Sequence, residues 1–223
     1  MNKRATPAEL ALPQSLTDRA YAEIEELIVT LRLAPGAPVS EAELSGRLGI
    51  GRTPIREALQ RLARERLVEI YPRRGIFVTD INVAGQLRLL ETRRELERLI
   101  ARSAARRATD DERVRFRALA VAFEAAAKAN DDVSFMRIDR DFNVLCSSAA
   151  HNEFAAGAMS LLHSLSRRFW YLHYKHAADM PLTAKLHADI ARAIAAGVGD
   201  RAAKASDRLL DAIEKFTRNT VSP

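Results

Sequence analysis

The chain has 223 residues, 48% of them hydrophobic, enough for one large domain or two modest ones with a real core. Its formal charge of +6 and isoelectric point of about 9.8 favour polyanionic partners. No apolar run approaches the roughly 18–20 residues of a membrane span, and Met1-Asn2-Lys3-Arg4 precedes no apolar stretch of a secretory leader.

Residues 1–15 are rich in Ala and Pro without a period and read as a flexible tail. Ala20, Ile24, Leu27, Ile28 and Leu31 then recur at helical spacing. Pro35-Gly36-Ala37-Pro38 ends that helix and turns the chain. Ser40-Glu41-Ala42-Glu43 reads as a capping box, in which Ser40 caps an N–H group and Glu43 reaches back. Leu44 and Leu48 give the short second helix an apolar side, and Gly49 closes it.

A third helix starts near Gly51, with Pro54 tolerated in its first turn. Ile55, Ala58, Leu59 and Leu62 form its apolar stripe; Arg52, Thr53, Arg56 and Gln60 fall outside it. Residues 68–71 and 76–78 read as strands joined by a tight turn holding Gly75. Three helices and a β-hairpin over 16–79 predict a winged helix-turn-helix. Between positions 47 and 74 the chain carries eight arginines against three acidic residues. On charge alone, that excess is either a polyanion site acting by counterion release or a solvated helix face.

Residues 80–82 read as a hinge. From 83 to 220 the apolar residues keep a 3.6-residue period, with breaks near 108–110, 130–131, 151–152, 179–183 and 197–200. That predicts an antiparallel bundle of about six helices, and a mainly α protein as a whole. Thr109-Asp110-Asp111-Glu112 marks one helix start. His163, His173 and His176 share one predicted helix and read as surface or core residues. The lone Cys146 can form no internal disulfide and reads as a small buried side chain in a cytoplasmic setting.

The order Pro35-Gly36, then 39–44, then Gly51-Arg52-Thr53-Pro54-Ile55-Arg56-Glu57-Ala58-Leu59, Leu67-Val68 and Pro72–Gly75 resembles the winged-helix domain of the GntR family of transcription regulators. The remainder resembles the FCD domain of that family's FadR-type branch. The likeness rests on Leu90-Glu91-Thr92-Arg93-Arg94-Glu95-Leu96-Glu97, on Asp139-Arg140-Asp141-Phe142-Asn143, and on His187 followed by Ile190, Ala193 and Ile194.

By that resemblance, Arg52, Thr53 and Arg56 face DNA from a recognition helix, and Arg73, Arg74 and Gly75 from the wing. An arginine fork there could pair with guanine O6 and N7. Two departures stand out: Gly51 replaces the usual capping serine, and Ala42 sits where some members carry a DNA-contacting arginine. Many FCD domains hold a divalent metal through an Asp, a His one turn later and two further His. Here Asp139 and His187 fill two positions, Asn143 occupies the second and Leu209 falls near the fourth. The resemblance thus implies a pocket of Arg93, Asp139, Asn143 and His187 for a small carboxylate effector, with Arg93 as its anchor. No metal cofactor is expected, and at most weak zinc or nickel binding. For His187 the alternative is a packing role, and for Arg93 an exposed ion pair with Glu97.

The reading is a ligand-responsive regulator, a repressor by family analogy, acting as a homodimer on a palindromic double-stranded DNA operator, with no membrane partner. The alternatives are a constitutive regulator with a degenerate pocket, or a helical enzyme fused to a DNA-binding domain. No nucleophile motif, phosphate loop or complete metal set supports an enzyme.

Overall fold

The structure is a computed structural model that describes residues 15–177 and 179–220, with side chains throughout those ranges except at 132, 133 and 175–177. Of the predicted tail at 1–15, residues 1–14 lie outside the described residues, and Ser15 is the N-cap of the first helix. The chain divides into two compact units, Met1–Thr79 and Asp80–Pro223.

In the first unit, α1 (Leu16–Val29) starts at Ser15, whose hydroxyl accepts the Asp18 N–H. Ala20, Ile24, Leu27 and Ile28 are buried on one face, as the period requires. Leu31, assigned to this helix from its spacing, lies beyond it. There the backbone is left-handed (φ 59°), and the Leu33 N–H returns to the Leu27 carbonyl at 2.9 Å. α2 (Glu41–Leu48) is capped by Ser40 and closed by Gly49 at φ 65°. Only the forward half of the predicted capping box forms among the described residues, from the Glu43 N–H to Ser40 Oγ at 3.3 Å. α3 (Arg52–Arg64) buries Ile55, Ala58, Leu59 and Leu62 and packs on α1 and α2.

The hairpin gains a third strand that periodicity did not show. β1 (Pro38–Val39) pairs antiparallel with β3 (Gly75–Val78), which pairs antiparallel with β2 (Val68–Tyr71), in the order β1-β3-β2. Pro38, which offers no N–H, lies opposite Phe77 on an edge strand, where a proline is tolerated.

The second unit is all helical: α4 (Val83–Arg107), α5 (Asp110–Ala129), α6 (Asp132–Ala149), α7 (Glu153–Ala177), α8 (Met180–Ala195) and α9 (Gly199–Asn219). Their starts are chemically marked. Asn82 caps α4, Thr109 and Glu112 form a complete capping box on α5, and Asp131 and Asp179 cap α6 and α8. α5 packs on α8, and α9 on both α4 and α8. Alanines line these contacts, among them Ala104, Ala105, Ala188, Ala191, Ala202 and Ala205, and their short side chains let the helix axes approach closely. Larger groups fill the rest: Phe116, Phe123, Leu145, Met159 and Ile194 are all at most 1% exposed.

Candidate functional site

In the first unit, Arg52, Thr53, Arg56 and Gln60 are exposed along α3, opposite its buried stripe. Arg56 is not unengaged: its Nε and Nη2 donate to the Glu41 carboxylate of α2 at 3.0 and 2.8 Å. That bidentate bond holds the Glu41 carboxyl below its usual range. No side chain caps α3 at Gly51. Arg73, Arg74 and Gly75 are exposed on the hairpin. The turn proper is Pro72-Arg73-Arg74, with Arg73 left-handed at φ 62° and the Arg74 N–H bonded to the Tyr71 carbonyl at 3.1 Å. Gly75 begins β3 at φ 109°, a conformation a side chain would strain. Not every arginine of the basic run faces outward. The Arg61 guanidinium lies 3.7 Å from the centre of the Tyr21 ring and pairs with Asp18 and Glu65.

In the second unit, Arg93 on α4, Asp139 and Asn143 on α6, and His187 on α8 line one cavity of about 70 Å³. Leu209 of α9, the position that the family motif reserves for a last histidine, lines it too. Asp139 and Asn143 share a face of α6 one turn apart, and packing brings them together with Arg93 of α4 and His187 of α8.

Within that cavity, Arg93 is buried and its ion pair with Glu97 is an interior one, not the exposed surface pair that spacing alone allowed. Arg93 Nε donates to Glu97 at 2.7 Å, and Nη2 donates to the same oxygen. Its Nη1 donates to Ser166 Oγ, which also accepts from Gln86 Nε2. As a carboxylate anchor, Arg93 therefore has only part of its fork to offer.

His187 stands among three phenyl rings, stacked on Phe123 at 5.0 Å and edge-on to Phe135 and Phe142. Its Nδ1 lies 2.8 Å from the Thr183 carbonyl, which can only accept, so Nδ1 carries a proton. Its Nε2 lies 3.0 Å from Asp139 Oδ1. Both ring nitrogens thus face oxygen atoms, the Thr183 carbonyl on one side and the Asp139 carboxylate on the other. Burial pushes the Asp139 carboxyl up, but the hydrogen bond and charge of His187 outweigh it and hold the group below its usual range.

These side chains do not fit a zinc or nickel ion. At the four positions of the family's metal motif stand one carboxylate, one amide, one imidazole and, at the fourth place, an alkyl group. Among the described residues no cluster of three or more His, Cys, Asp or Glu could hold a metal.

Sequence reading missed part of the cavity wall. His163, read as a surface or core residue, lines the cavity, and burial lowers its pKa, so its ring is neutral near pH 7. Ser166 and Trp170 follow it on α7 at helical spacing and line the same space. His173 rests against Phe169 with ring centres 4.6 Å apart, while the His176 side chain lies outside the described residues. Cys146 is buried, and burial pushes its thiol pKa well up.

Comparison with known proteins joins these two sites to a family. The pattern of the gntR family of bacterial regulatory proteins matches residues 16–78, and that of the FCD domain matches residues 88–212. The HTH-type transcriptional repressor RspR of Escherichia coli is 27% identical over 205 residues, covering 92% of this chain and 90% of that protein. The Nta operon transcriptional regulator of Aminobacter aminovorans is 26% identical over 210 residues, 88% and 98% of the two chains. The solved structure of Escherichia coli McbR/YncC superposes with a TM-score of 0.80 over 93% of this chain and 99% of its own, at 17% identity, which establishes the fold.

The chain belongs to the GntR family, with a winged helix-turn-helix followed by an FCD domain. It is a transcriptional regulator of a DNA-binding family, and the relatives it matches are named as regulators, not enzymes. Among the described residues no helix is long and apolar enough to cross a membrane.

Proposed function

We propose that the protein is a ligand-responsive repressor that binds a palindromic operator as a homodimer and is tuned by a small organic acid in its FCD domain. The observation that carries this reading is the cavity. Four positions drawn from three separate motifs, Arg93, Asp139 with Asn143, and His187, line a single space. On the DNA side, α3 would enter the major groove, with Arg52, Thr53 and Arg56 at base edges or phosphates, while Arg73, Arg74 and Gly75 would lie along the backbone. To engage a base, Arg56 exchanges its bond to Glu41 for one to guanine, so Glu41 both orients and restrains it. The sign of regulation follows the name of the Escherichia coli relative, a repressor. The acid acts without a metal, because the donor set around Asp139 and His187 does not fit one.

Ligand shifts operator affinity only by binding the DNA-competent and incompetent dimers unequally. The test is selection of bound duplexes from a random pool, followed by anisotropy of the selected site with and without a panel of small acids and a chelator. An inverted repeat bound by a dimer, and weakened by one acid in the presence of chelator, is the expected result. Binding to a single asymmetric half-site would sink the operator assignment.

One observation favours a second reading, a constitutive regulator. Glu97 already holds Arg93, and Asp139 already holds His187, so the cavity's charges are satisfied internally. An operator complex indifferent to every acid that fits the cavity would establish that reading.

A further inference from the structure

The cavity of the second unit has a smaller neighbour, of about 30 Å³, lined by Cys146, Met159 and Ser206 among others. Glu97, Phe142, Asn143 and His163 line both, so they mark the junction of the two. Glu97 is taken up by Arg93, and Phe142 is apolar. Asn143 and His163 differ from these, because neither side chain makes a hydrogen bond among the described residues. Neither belongs to the buried polar atoms that are both unpartnered and sealed from water, so a water-sized group reaches each of them. The cavity wall thus holds two polar side chains whose hydrogen bonds are left for something that enters.

The chemistry of that pair narrows what fits. Both groups are uncharged, and each combines a donor with an acceptor. The Asn143 amide offers N–H groups and a carbonyl oxygen, and the His163 imidazole, neutral near pH 7, offers one N–H and one bare nitrogen. A hydroxyl, which donates and accepts at one atom, matches such a pair in either tautomer of the ring. A ketone oxygen or a second carboxylate only accepts, and the carboxylate would also lie beside that of Glu97. Three other polar side chains of the wall are already engaged: Arg93 with Glu97 and Ser166, Gln86 with Ser166, and His187 with Thr183 and Asp139. Size sets a further limit, since at about 10–15 Å³ for each water-sized group the larger cavity, of about 70 Å³, holds roughly five to seven of them.

We propose that His163 and Asn143 set the specificity of the cavity, and that the effector is a small hydroxy acid whose hydroxyl lies between them at the junction of the two cavities. This rests on the effector-binding reading above and adds to it a residue of α7 that no family motif marks. The deoxy acid of the same size displaces water from the pair without replacing its hydrogen bonds, so the site rejects it. The carbon chain packs on the rings of Phe135, Phe142 and Phe169, which line the same space.

The full-length protein is titrated by calorimetry with butyrate and with 2-, 3- and 4-hydroxybutyrate, which differ from it only by a hydroxyl and its place. Wild type is compared with His163→Phe, which keeps a ring and removes both nitrogens, and with Asn143→Leu, which keeps the side-chain size and removes the amide. The expected result is that one hydroxybutyrate binds wild type about tenfold or more tighter than butyrate does. Each variant then cuts that ratio to about threefold or less, with the affinity for butyrate unchanged. The ratio is the readout because a variant that merely loosens the cavity weakens both acids alike. Should His163→Phe fail to fold, Asn143→Leu carries the same comparison, and the wild-type ratio needs neither. Butyrate binding as tightly as every hydroxybutyrate, none of the four binding, or a ratio unmoved in both variants overturns the proposal. If only another class of acid binds and shifts operator affinity, the effector reading stands and this inference falls. If no acid shifts operator affinity, the effector reading falls with it.

Discussion

In the first domain the residues assigned to DNA stand in solvent, on one helix face and one hairpin, within 24 consecutive positions from Arg52 to Gly75. In the second domain the residues assigned to a ligand are largely buried, on α4, α6 and α8, and 95 positions span them from Arg93 to His187. The physics differs accordingly. A guanidinium such as Arg56, with 61% of its side chain exposed, adds little to folding and is available to a polyanion. A guanidinium such as Arg93, with 10% exposed, must be paired to be tolerated at all, so the bonds that keep the fold intact also occupy the binding group. A surface site can therefore specialise without regard to stability, whereas a cavity site shares its atoms with the core.

The sharpest break between the two regions should come from Phe123, which is fully buried and stacked on His187. Phe123→Ala should destabilise the second domain by about 3–5 kcal/mol, read as a lower urea midpoint. It should leave α3 and its arginines as they are. A loss under about 1 kcal/mol would mean that the core does not hold His187 in place, and the comparison would fail on its second side.

Next in size is the surface counterpart. Arg56→Ala should weaken operator binding by about tenfold or more while the unfolding midpoint stays put. Unchanged binding would remove α3 as the reading helix. A falling midpoint would instead show that the Glu41–Arg56 bond braces α2 against α3, and that the surface site is less free of the fold than its exposure implies.

A smaller effect probes the altered metal positions. Asn143 and Leu209 both line the cavity, as the metal-binding members of the family would require of their histidines. Asn143→His with Leu209→His should therefore raise Zn²⁺ affinity by about 1.4 kcal/mol or more, a tenfold change measurable by calorimetry on chelator-stripped protein. No gain would show that the two positions do not converge on one point.

The same contrast explains what could be read from the sequence. The α3 stripe and the hairpin are local: their periods are complete within a dozen residues, and the burial of Ile55, Ala58, Leu59 and Leu62 follows from them directly. β1 escaped because two residues carry no period, and Pro38 and Val39 become a strand only by pairing with distant Phe77 and Ile76. Leu31 misled because its spacing fits a helix that the chain has already left at Val29. For the cavity, periodicity gave the helices but not which polar residues face inward. Arg93, Asp139, Asn143 and His187 were legible only through family motifs, and His163, Ser166 and Trp170, outside those motifs, were not. α7 offers apolar residues on several sides, so its inward face is fixed only by the helices around it.

The smallest expected effect lies at the helix starts, where the two regions also part. α5 opens on a complete capping box, with Thr109 Oγ accepting the Glu112 N–H at 3.2 Å and Glu112 accepting the Thr109 N–H at 2.8 Å. α3 opens on Gly51 with no side-chain cap, although a Cβ there would meet only the Pro54 ring at 3.8 Å and φ is an ordinary −59°. Sterics therefore do not require glycine. Gly51→Ser should stabilise the first domain by only about 0.3 kcal/mol, because a capping hydroxyl bonds the second or third N–H of the helix and the third position here is Pro54, which has none. Thr53 would be its one partner. A gain above about 1 kcal/mol in thermal unfolding would show that the serine finds a further acceptor or donor, and that the start of α3 is poised by more than its backbone. A small gain accompanied by altered operator affinity would show instead that the uncapped N–H groups of α3 serve DNA, which is the surface logic of the first domain carried down to a single backbone position.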